Sequence, residues 1–271
     1  MLQRINKKDL IELSAVLGAL FLISWVILLT DLDLVLQEKL FDQDEGWIYT
    51  DTFIWSLLYD HGPKPGLALG IGAFLIFLLS FPVRALMKFR KKTLFLALVL
   101  IFGTGIMVEA FKGATGRPRP RHIEFFQGSK EFVPVFSVKK PGDGESPSAG
   151  QMAIIMTKRF IESKGSYSFP SGHAAIAFYL MVPFFILRDR RRKLAVLCLA
   201  GGVSYGLLMG YARMAQGGHF LSDIIWAGGV VYLTCWFFYH VLDVREPSAE
   251  GGAQREERRK EKDEIRGLLP P

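Results

Sequence analysis

The sequence predicts an all-α protein, a six-span transmembrane helical bundle with a periplasmic insertion between spans three and four. Half of the 271 residues are hydrophobic, including 22 Phe, which is more apolar than a typical soluble protein of this length. The apolar residues gather into long blocks rather than recurring at amphipathic spacing, which indicates helices that cross a bilayer. Lys and Arg cluster at the ends of these blocks, as topology signals do.

The predicted spans lie at about 10–31, 66–88, 93–111, 172–187, 194–215 and 219–242. Basic residues precede the first block, whose roughly twenty apolar residues are long enough for a retained span rather than a cleaved signal. The fourth block has only about fourteen apolar residues before Arg188, against ~20 for a full crossing. Residues 169–173 extend it toward that length. Gly217 and Gly218 separate the last two spans, which predicts an antiparallel helical hairpin.

The distribution of basic residues predicts which side of the membrane each loop faces. The clusters before span one, after span two and after span four all fall on one side, which the positive-inside bias makes cytoplasmic. The loops at 33–64 and 112–167 then face outward, and both termini are cytoplasmic. This arrangement suits the inner membrane of a bacterium, with the outward loops in the periplasm.

One membrane-embedded domain at 1–243 accounts for most of the chain, and a charged tail at 244–271 is expected in the cytoplasm. The tail mixes both signs, so a solvated extension is its simplest interpretation. The Gly/Pro/Ser-rich stretch at 139–150 is expected to be a flexible surface loop. The net charge of +7 resides in clusters at span ends, which argues against a nucleic-acid partner. Cys198 and Cys235 lack zinc or disulfide spacing.

Three short segments place ionisable residues at the outer ends of spans, where their cost in the membrane indicates function. The segments are KGATGRPRP at 112–120, SFPSGH at 168–173 and RMAQGGHFLSD at 213–223. Lys112, Arg119 and Arg213 are cationic donors suited to the oxygens of a phosphate, and they predict an oxyanion pocket. Ser171 and Gly172 begin the fourth helix, so their free backbone N–H groups are expected to face the same anion.

Two histidines and a carboxylate complete the predicted site. His219 is expected to begin the sixth helix, with Asp223 one turn later on the same helical face. The carboxylate would accept a hydrogen bond from Nδ1–H, which leaves Nε2 free to attack phosphorus. His173 is suited to protonate the leaving alkoxide as a general acid.

Each of these residues also has a purely structural interpretation. The His219 and Asp223 pair could pack a helix end, and the cations could be interfacial anchors that reach toward headgroups. Their joint occurrence at one face of the membrane favours a catalytic site. His61, His122 and His240 receive no role, and His61 is expected in a turn.

The three segments resemble the signature of the type 2 phosphatidic acid phosphatase superfamily, shared with vanadium haloperoxidases and glucose-6-phosphatase-like enzymes. The matching residues are Lys112 with Arg119-Pro120, then Pro170 to His173, then Arg213, His219 and Asp223. Arg117 is too near Lys112 to be the counterpart of the family's Arg-Pro. Ala212 stands where the family has a Ser, and every expected catalytic group is present.

The resemblance covers about 93–242 and implies a phosphatase domain that forms a phosphohistidine at His219, activated by Asp223, with His173 as the acid. The residues implied to cradle phosphate are Lys112, Arg119, Ser171, Gly172 and Arg213. No metal and no other cofactor is implied, which makes the expected enzyme metal-independent. The three segments contain no carboxylate cluster of the kind that a catalytic Mg²⁺ prefers.

A basic site at the outer membrane boundary favours an amphiphilic substrate whose tail stays in the bilayer. Outward-facing bacterial members of this family act on lipid A phosphates, undecaprenyl pyrophosphate or phosphatidylglycerophosphate. The segment at 119–126 and the long insertion resemble the lipid A phosphatase branch more than the others, so lipid A phosphate is the preferred substrate. Phosphoryl transfer to a second lipid stays open, while the intact histidines argue against a non-enzymatic transporter. No obligate protein partner is inferred.

Overall fold

The computed structural model describes residues 5–50, 52–136 and 167–245. The helices in these ranges are, in chain order, α1 (Lys7–Leu29), α2 (Leu32–Glu38), α3 (Phe53–His61), α4 (Lys64–Leu79), α5 (Arg90–Val99), α6 (Met107–Thr115), α7 (Gly172–Phe178), α8 (Pro183–Leu187), α9 (Arg192–Ala215) and α10 (Leu221–Val241). A 3-10 segment, Arg84–Phe89, leads into α5, and a π-helical segment, Leu100–Ile106, joins α5 to α6. The predicted loop at 139–150 and the predicted tail beyond Arg245 lie outside the described residues.

Five stretches of helix in the described part of the chain are long and apolar enough to cross a membrane. They are Lys7–Leu29, Phe53–Leu79, Arg84–Thr115, Arg192–Ala215 and Leu221–Val241. Each overlaps a predicted span, so the prediction of a mostly helical protein with several membrane helices is confirmed. The remaining predicted span, Gly172–Leu187, is helical but shorter.

The second span differs from its prediction at both ends. The helix α4 ends at Leu79 with Ser80 as its C-cap, and Pro82 follows where it cannot continue the helix. Residues 84–88 already belong to the next span, so the predicted bounds of 66–88 were wrong. The span also begins earlier, because α3 and α4 form one apolar stretch. His61 is therefore the last residue of α3, and its assignment to a turn was wrong.

The outward segment between α2 and α3 is not a simple loop. Phe41–Asp42 (β1) pairs antiparallel with Gly46–Trp47 (β2). In the turn between the two strands, the carboxylate of Asp42 accepts hydrogen bonds from the backbone N–H groups of Asp44 and Glu45, at 2.8 and 3.0 Å. The ring of Trp47 packs against Phe41 and Phe126. This small hairpin supports the end of the bundle where the predicted site residues lie.

The fourth apolar block forms a broken helix. A 3-10 turn at Tyr179–Met181 separates α7 from α8. Pro183 causes the break, because it has no N–H to donate to the carbonyl of Tyr179 and its ring would clash with that carbonyl in a regular α-helix. Ser171 is the N-cap of α7. At the other end of the block, Arg188 pairs with Glu12 of α1 at 2.9 Å. The block therefore runs from the predicted site to the first turns of α1.

A stripe of glycines on α9 allows its neighbours to approach closely. Gly202, Gly206 and Gly210 recur every four residues, and a Cβ at each would collide with an opposing residue. The opposing residues are Met181 and Phe178 of the broken helix and Ile224 of α10. Small residues at this spacing are typical of helix contacts in membranes. This packing brings the N-termini of α7 and α10 to the C-terminus of α9.

Candidate active site

The three predicted segments meet at one end of the bundle. The N–H of Ser171 donates to the backbone carbonyl of Asp223 at 3.2 Å, which joins the starts of α7 and α10. A Cβ placed on Gly172 would lie 3.7 Å from Nζ of Lys112, so the C-terminal turn of α6 is the next neighbour. The hydrogen bond also corrects one expectation, because the Ser171 N–H is already used and does not face an anion.

His219 lies in the turn between α9 and α10, two residues before α10 begins. The expectation that it starts the helix and shares a helical face with Asp223 is therefore wrong. The two residues still meet, because Phe220 is the N-cap of α10 and the carboxylate of Asp223 folds back to accept its N–H at 2.8 Å. The same oxygen lies 3.5 Å from Nδ1 of His219, which is slightly too far for a hydrogen bond, and Nδ1 has no hydrogen-bond partner among the described residues.

Burial sets the charge state of His219. Its side chain is only 2% exposed, and this desolvation lowers its pKa to about 3, with Arg213 and Arg119 acting in the same direction. Asp223 opposes the shift without reversing it. The imidazole is therefore neutral at physiological pH. A carboxylate opposite Nδ1 favours the tautomer in which Nε2 carries the free lone pair.

Two arginine side chains of the site each have a buried donor that is unused. Nε of Arg119 and Nε of Arg213 are both buried and have no hydrogen-bond partner among the described residues. Burial, followed by the charge of Arg121, lowers the pKa of Arg119. Arg213 donates to the side chain of Gln216 and lies over the ring of Tyr59. Buried polar groups are normally satisfied, so an anion at this position would supply the missing acceptors.

Lys112 has a partner that the sequence motif does not include. Its Nζ donates to Oε1 of Glu109, one turn earlier on α6, at 2.7 Å. An ammonium group has three donors, so this contact leaves others for a ligand. Glu109 therefore holds the Lys112 side chain in place and reduces the positive charge of the site. An acidic residue three positions before a motif Lys was the only sequence signal for it.

His173 stacks on Tyr59, with ring centroids 5.0 Å apart and planes inclined by 15°. Its charge interactions are with Arg213, Arg119 and Lys112, which places it among the cations of the site. Tyr59 belongs to α3 and was missed because this region was assigned to an outward loop. Its place in the apolar run FIWSLLY was the signal for a helix there.

Arg117, excluded as a motif residue, is the most buried cation at this end of the described structure, at 1% exposure. Its Nη1 donates to Oδ1 of Asp223 and its Nη2 to Oδ2 of Asp33, both at 2.7 Å. Burial opposes its charge, but the two carboxylates outweigh it and raise the pKa of Arg117. The additional Arg-Pro pair formed by Arg117 and Pro118, and an acidic residue at the end of the first span, were the available signals.

The described residues contain no group of three or more His, Cys, Asp or Glu side chains placed to hold a metal ion. The site instead combines a neutral buried imidazole, an orienting carboxylate, a second imidazole and several cations. Such a combination can accept a phosphate group and attack its phosphorus.

The fold and the site define a helical, multi-pass membrane protein with a buried cationic site at one end. Residues 92–247, more than half of the chain, match the PAP2 superfamily. The chain belongs to this superfamily, which confirms the resemblance found in its motifs. It is also 33% identical over 156 residues to the lipid A 4'-phosphatase of Francisella tularensis subsp. novicida (strain U112).

That alignment covers 57% of this chain and 60% of the relative, so the chain matches about three fifths of the relative's length. No solved structure matches the chain. The superfamily match contains all the predicted site residues, but Asp33 and Tyr59 lie before it.

Proposed function

We propose that this protein is an integral membrane lipid phosphatase that hydrolyses a phosphomonoester or pyrophosphate of a membrane lipid at the periplasmic face. One observation carries the proposal: the neutral, buried His219 lies beside Arg213 and Arg119, whose buried Nε donors have no partner among the described residues. Membership of the PAP2 superfamily supports it. A lipid A phosphate is the preferred substrate, because a relative with 33% identity is a lipid A 4'-phosphatase.

The reaction proceeds in two displacements. Nε2 of His219 attacks phosphorus, the bond from phosphorus to the lipid oxygen breaks, and His173 gives its proton to the leaving alkoxide. Water then attacks the phosphohistidine, His173 takes a proton from this water, and inorganic phosphate leaves. Arg119, Arg213 and Lys112 bind the phosphoryl oxygens and stabilise their charge in both transition states, with the Ser171 hydroxyl and Gly172 beside them.

An apolar groove next to the site supports a lipid substrate. A cavity of about 310 Å³ lies between the π-helical segment, α6 and α10. Its lining residues are Phe102, Met107, Phe111, Trp226, Val230, Leu233, Thr234, Phe237 and Phe238. Phe111 precedes the site residue Lys112, and both Phe111 and Trp226 contact the ring of Phe169, two residues before Ser171. A lipid tail in this groove would end close to the phosphate site.

We also infer six crossings rather than five, with both termini in the cytoplasm of a bacterium and the site in the periplasm. The broken helix of 172–187 is shorter than a normal span. However, Ser171 at its start contacts the site, and Arg188 at its end contacts Glu12 near the start of α1. Its 3-10 turn rises more per residue than an α-helix, which adds length. The membrane-embedded phosphatase domain is 1–243, and the segment from 244 onward is its cytoplasmic tail.

The function is tested by phosphate release from purified protein supplied with lipid A, undecaprenyl pyrophosphate or phosphatidylglycerophosphate. Each assay is run with and without EDTA, because the proposed chemistry needs no metal. We expect release by the parent and loss in His219→Ala, with His122→Ala, a substitution at a histidine without a proposed role, close to the parent. Full activity in His219→Ala would disprove the nucleophile. Loss of parental activity in EDTA would disprove metal independence, and phosphate found only on an acceptor lipid would indicate a phosphotransferase.

A further inference from the structure

A buried ionic network connects the first third of the chain to the proposed catalytic pair. Arg117 donates to Asp223 and Asp33, and its Nη1 also donates to Oγ of Ser222 at 2.6 Å. Asp33 in turn accepts from the Ser222 hydroxyl at 2.6 Å and from the Ser222 N–H at 2.9 Å. These four side chains are at most 3% exposed. The network therefore forms a closed set of charged hydrogen bonds behind Asp223.

We propose that Asp33 and Arg117 are positioning residues for the proposed reaction, and that they act through Asp223 on His219. The inference rests on the proposed function. Neither residue belongs to the motif match, and Asp33 lies outside the superfamily match at 92–247. The helices before that match would then complete the catalytic centre.

The charges of the network explain why two positioning residues are needed. Arg117 alone, 2.7 Å from Asp223, would neutralise the carboxylate on which His219 depends. Asp33 lies 2.7 Å from the same guanidinium and supplies a second negative charge. Two carboxylates and one guanidinium leave a net charge of −1 beside His219. Asp223 can then stabilise the positive charge that develops on the imidazole as Nε2 attacks phosphorus.

The same region of the chain also fixes the backbone of the nucleophile. Gln37, one turn after Asp33 on α2, donates from Nε2 to the carbonyl of His219 at 2.7 Å. The carboxylate of Asp33 accepts a hydrogen bond from the N–H of Ser222, the residue before Asp223. α2 therefore contacts the chain on both sides of Phe220 and sets the distance between the imidazole and its carboxylate. A nucleophile that is misplaced by about 1 Å can lose on the order of 100-fold in rate.

A double-mutant cycle on the catalytic rate tests the proposal. Asp33→Asn keeps an oxygen for the Ser222 N–H but removes the charge. We expect it to lower kcat about tenfold to a hundredfold with KM unchanged within about threefold, because the substrate contacts remain. Asp223→Asn should lower kcat on the order of 10⁴-fold. In that background, Asp33→Asn should cause no further loss, because the group through which it acts is gone.

Equal losses from Asp33→Asn in both backgrounds would overturn the proposal, since a purely structural residue has the same effect whether or not Asp223 is charged. A loss confined to KM would also overturn it. Slow release by the weakest variants is measured with ³²P-labelled substrate over hours. Thermal unfolding of each variant in detergent shows whether it is folded. Ser222→Ala removes one hydroxyl from the same network, and we expect it to lower kcat as well.

Two matched controls lie at the other end of the bundle. Asp9 is a buried carboxylate paired with Arg245 at 2.5 Å, so Asp9→Asn repeats the chemical change of Asp33→Asn. Ser80 is a buried serine that accepts from Arg90 at 3.0 Å, so Ser80→Ala repeats that of Ser222→Ala. Both controls should retain parental kcat.

The test separates this proposal from the function on which it rests. If the parent releases phosphate, His219→Ala does not, and Asp33→Asn resembles Asp9→Asn, the function stands and the positioning role is wrong. If the parent releases no phosphate from any lipid supplied, the proposed function fails first and the positioning role fails with it.

Discussion

The buried, neutral His219 should make the folded protein less stable as the pH falls. An unfolded histidine takes up a proton near pH 6.5, whereas burial lowers the pKa of folded His219 to about 3. Between these values the unfolded state binds one more proton than the folded state, so acidification favours unfolding. The substitution His219→Gln removes this proton uptake and keeps a polar side chain of similar size.

The size of the effect follows from the two pKa values. Between pH 7 and pH 5, protonation of an unfolded group with pKa 6.5 stabilises the unfolded state by about 2 kcal/mol, while folded His219 stays neutral. The parent should therefore lose about 2 kcal/mol more than His219→Gln over this range. Most carboxylates stay ionised above pH 5, so they contribute little to the difference between the two proteins.

The assay is unfolding by SDS in mixed micelles, followed by circular dichroism at pH 7, 6 and 5. His122→Gln serves as the control. Burial, together with its basic neighbours, also lowers the pKa of His122, but this side chain remains partly accessible to solvent, so a smaller difference is expected. Parallel pH dependence in the parent and His219→Gln would show that folded His219 is protonated as readily as the unfolded residue, and would refute its description as a neutral, buried nucleophile.

Three further substitutions test other parts of the site. Arg213→Lys should weaken inhibition by inorganic phosphate about tenfold because Lys cannot offer two parallel donors, whereas exposed Arg121→Lys should change it little. Gly217→Ala should lower the free energy of unfolding by at least 1–2 kcal/mol, since φ is +60° and a Cβ would meet the ring of a tryptophan. Gly201→Ala, in a helix with open space around the added Cβ, should not lower it. Tyr59→Ala should lower kcat about tenfold, and Tyr59→Phe, which keeps the stacked ring, should not; equal losses in both would argue against the stacking role.

The features predicted well from the sequence are those encoded over short distances. A membrane helix needs about twenty apolar residues in succession, so most spans were visible as uninterrupted blocks. The motif segments were visible for the same reason, because spacing such as Lys112 to Arg119 is fixed within one stretch of chain. The chain's membership of the superfamily followed from these segments alone.

The features that were missed depend on contacts between distant parts of the chain. The spacing from Lys112 favours Arg119 over Arg117 as the phosphate-binding residue, but it does not show what Arg117 contacts. Asp33, a partner of Arg117, lies 84 positions away and reaches it only in the folded bundle. Likewise, helical periodicity placed His219 on the face of a helix, whereas the N-cap geometry of Phe220 leaves it in the preceding turn.

The membrane orientation of the bundle is open to a direct test with three introduced cysteines in a chain carrying Cys198→Ala and Cys235→Ala. Ala85, Ser129 and Arg191 are all exposed, and they lie respectively at the start of the third span, beyond the site end of that span, and after the broken helix. With six crossings and a periplasmic site, a membrane-impermeant maleimide outside intact spheroplasts should label Ser129→Cys at once. Ala85→Cys and Arg191→Cys should react only after lysis.

Arg191→Cys is the decisive position, because it depends on whether the short block 172–187 crosses the bilayer. If this block turned back within the membrane, Arg191 would stay on the side of Ser129 and react from outside. Such a result would leave the basic cluster around Arg191 in the periplasm, against the positive-inside bias. It would also require Glu12, which pairs with Arg188, to lie on the periplasmic side. Labelling of Ala85→Cys from outside, with Ser129→Cys protected, would instead show that the whole bundle has the opposite orientation and that the proposed phosphate site faces the cytoplasm.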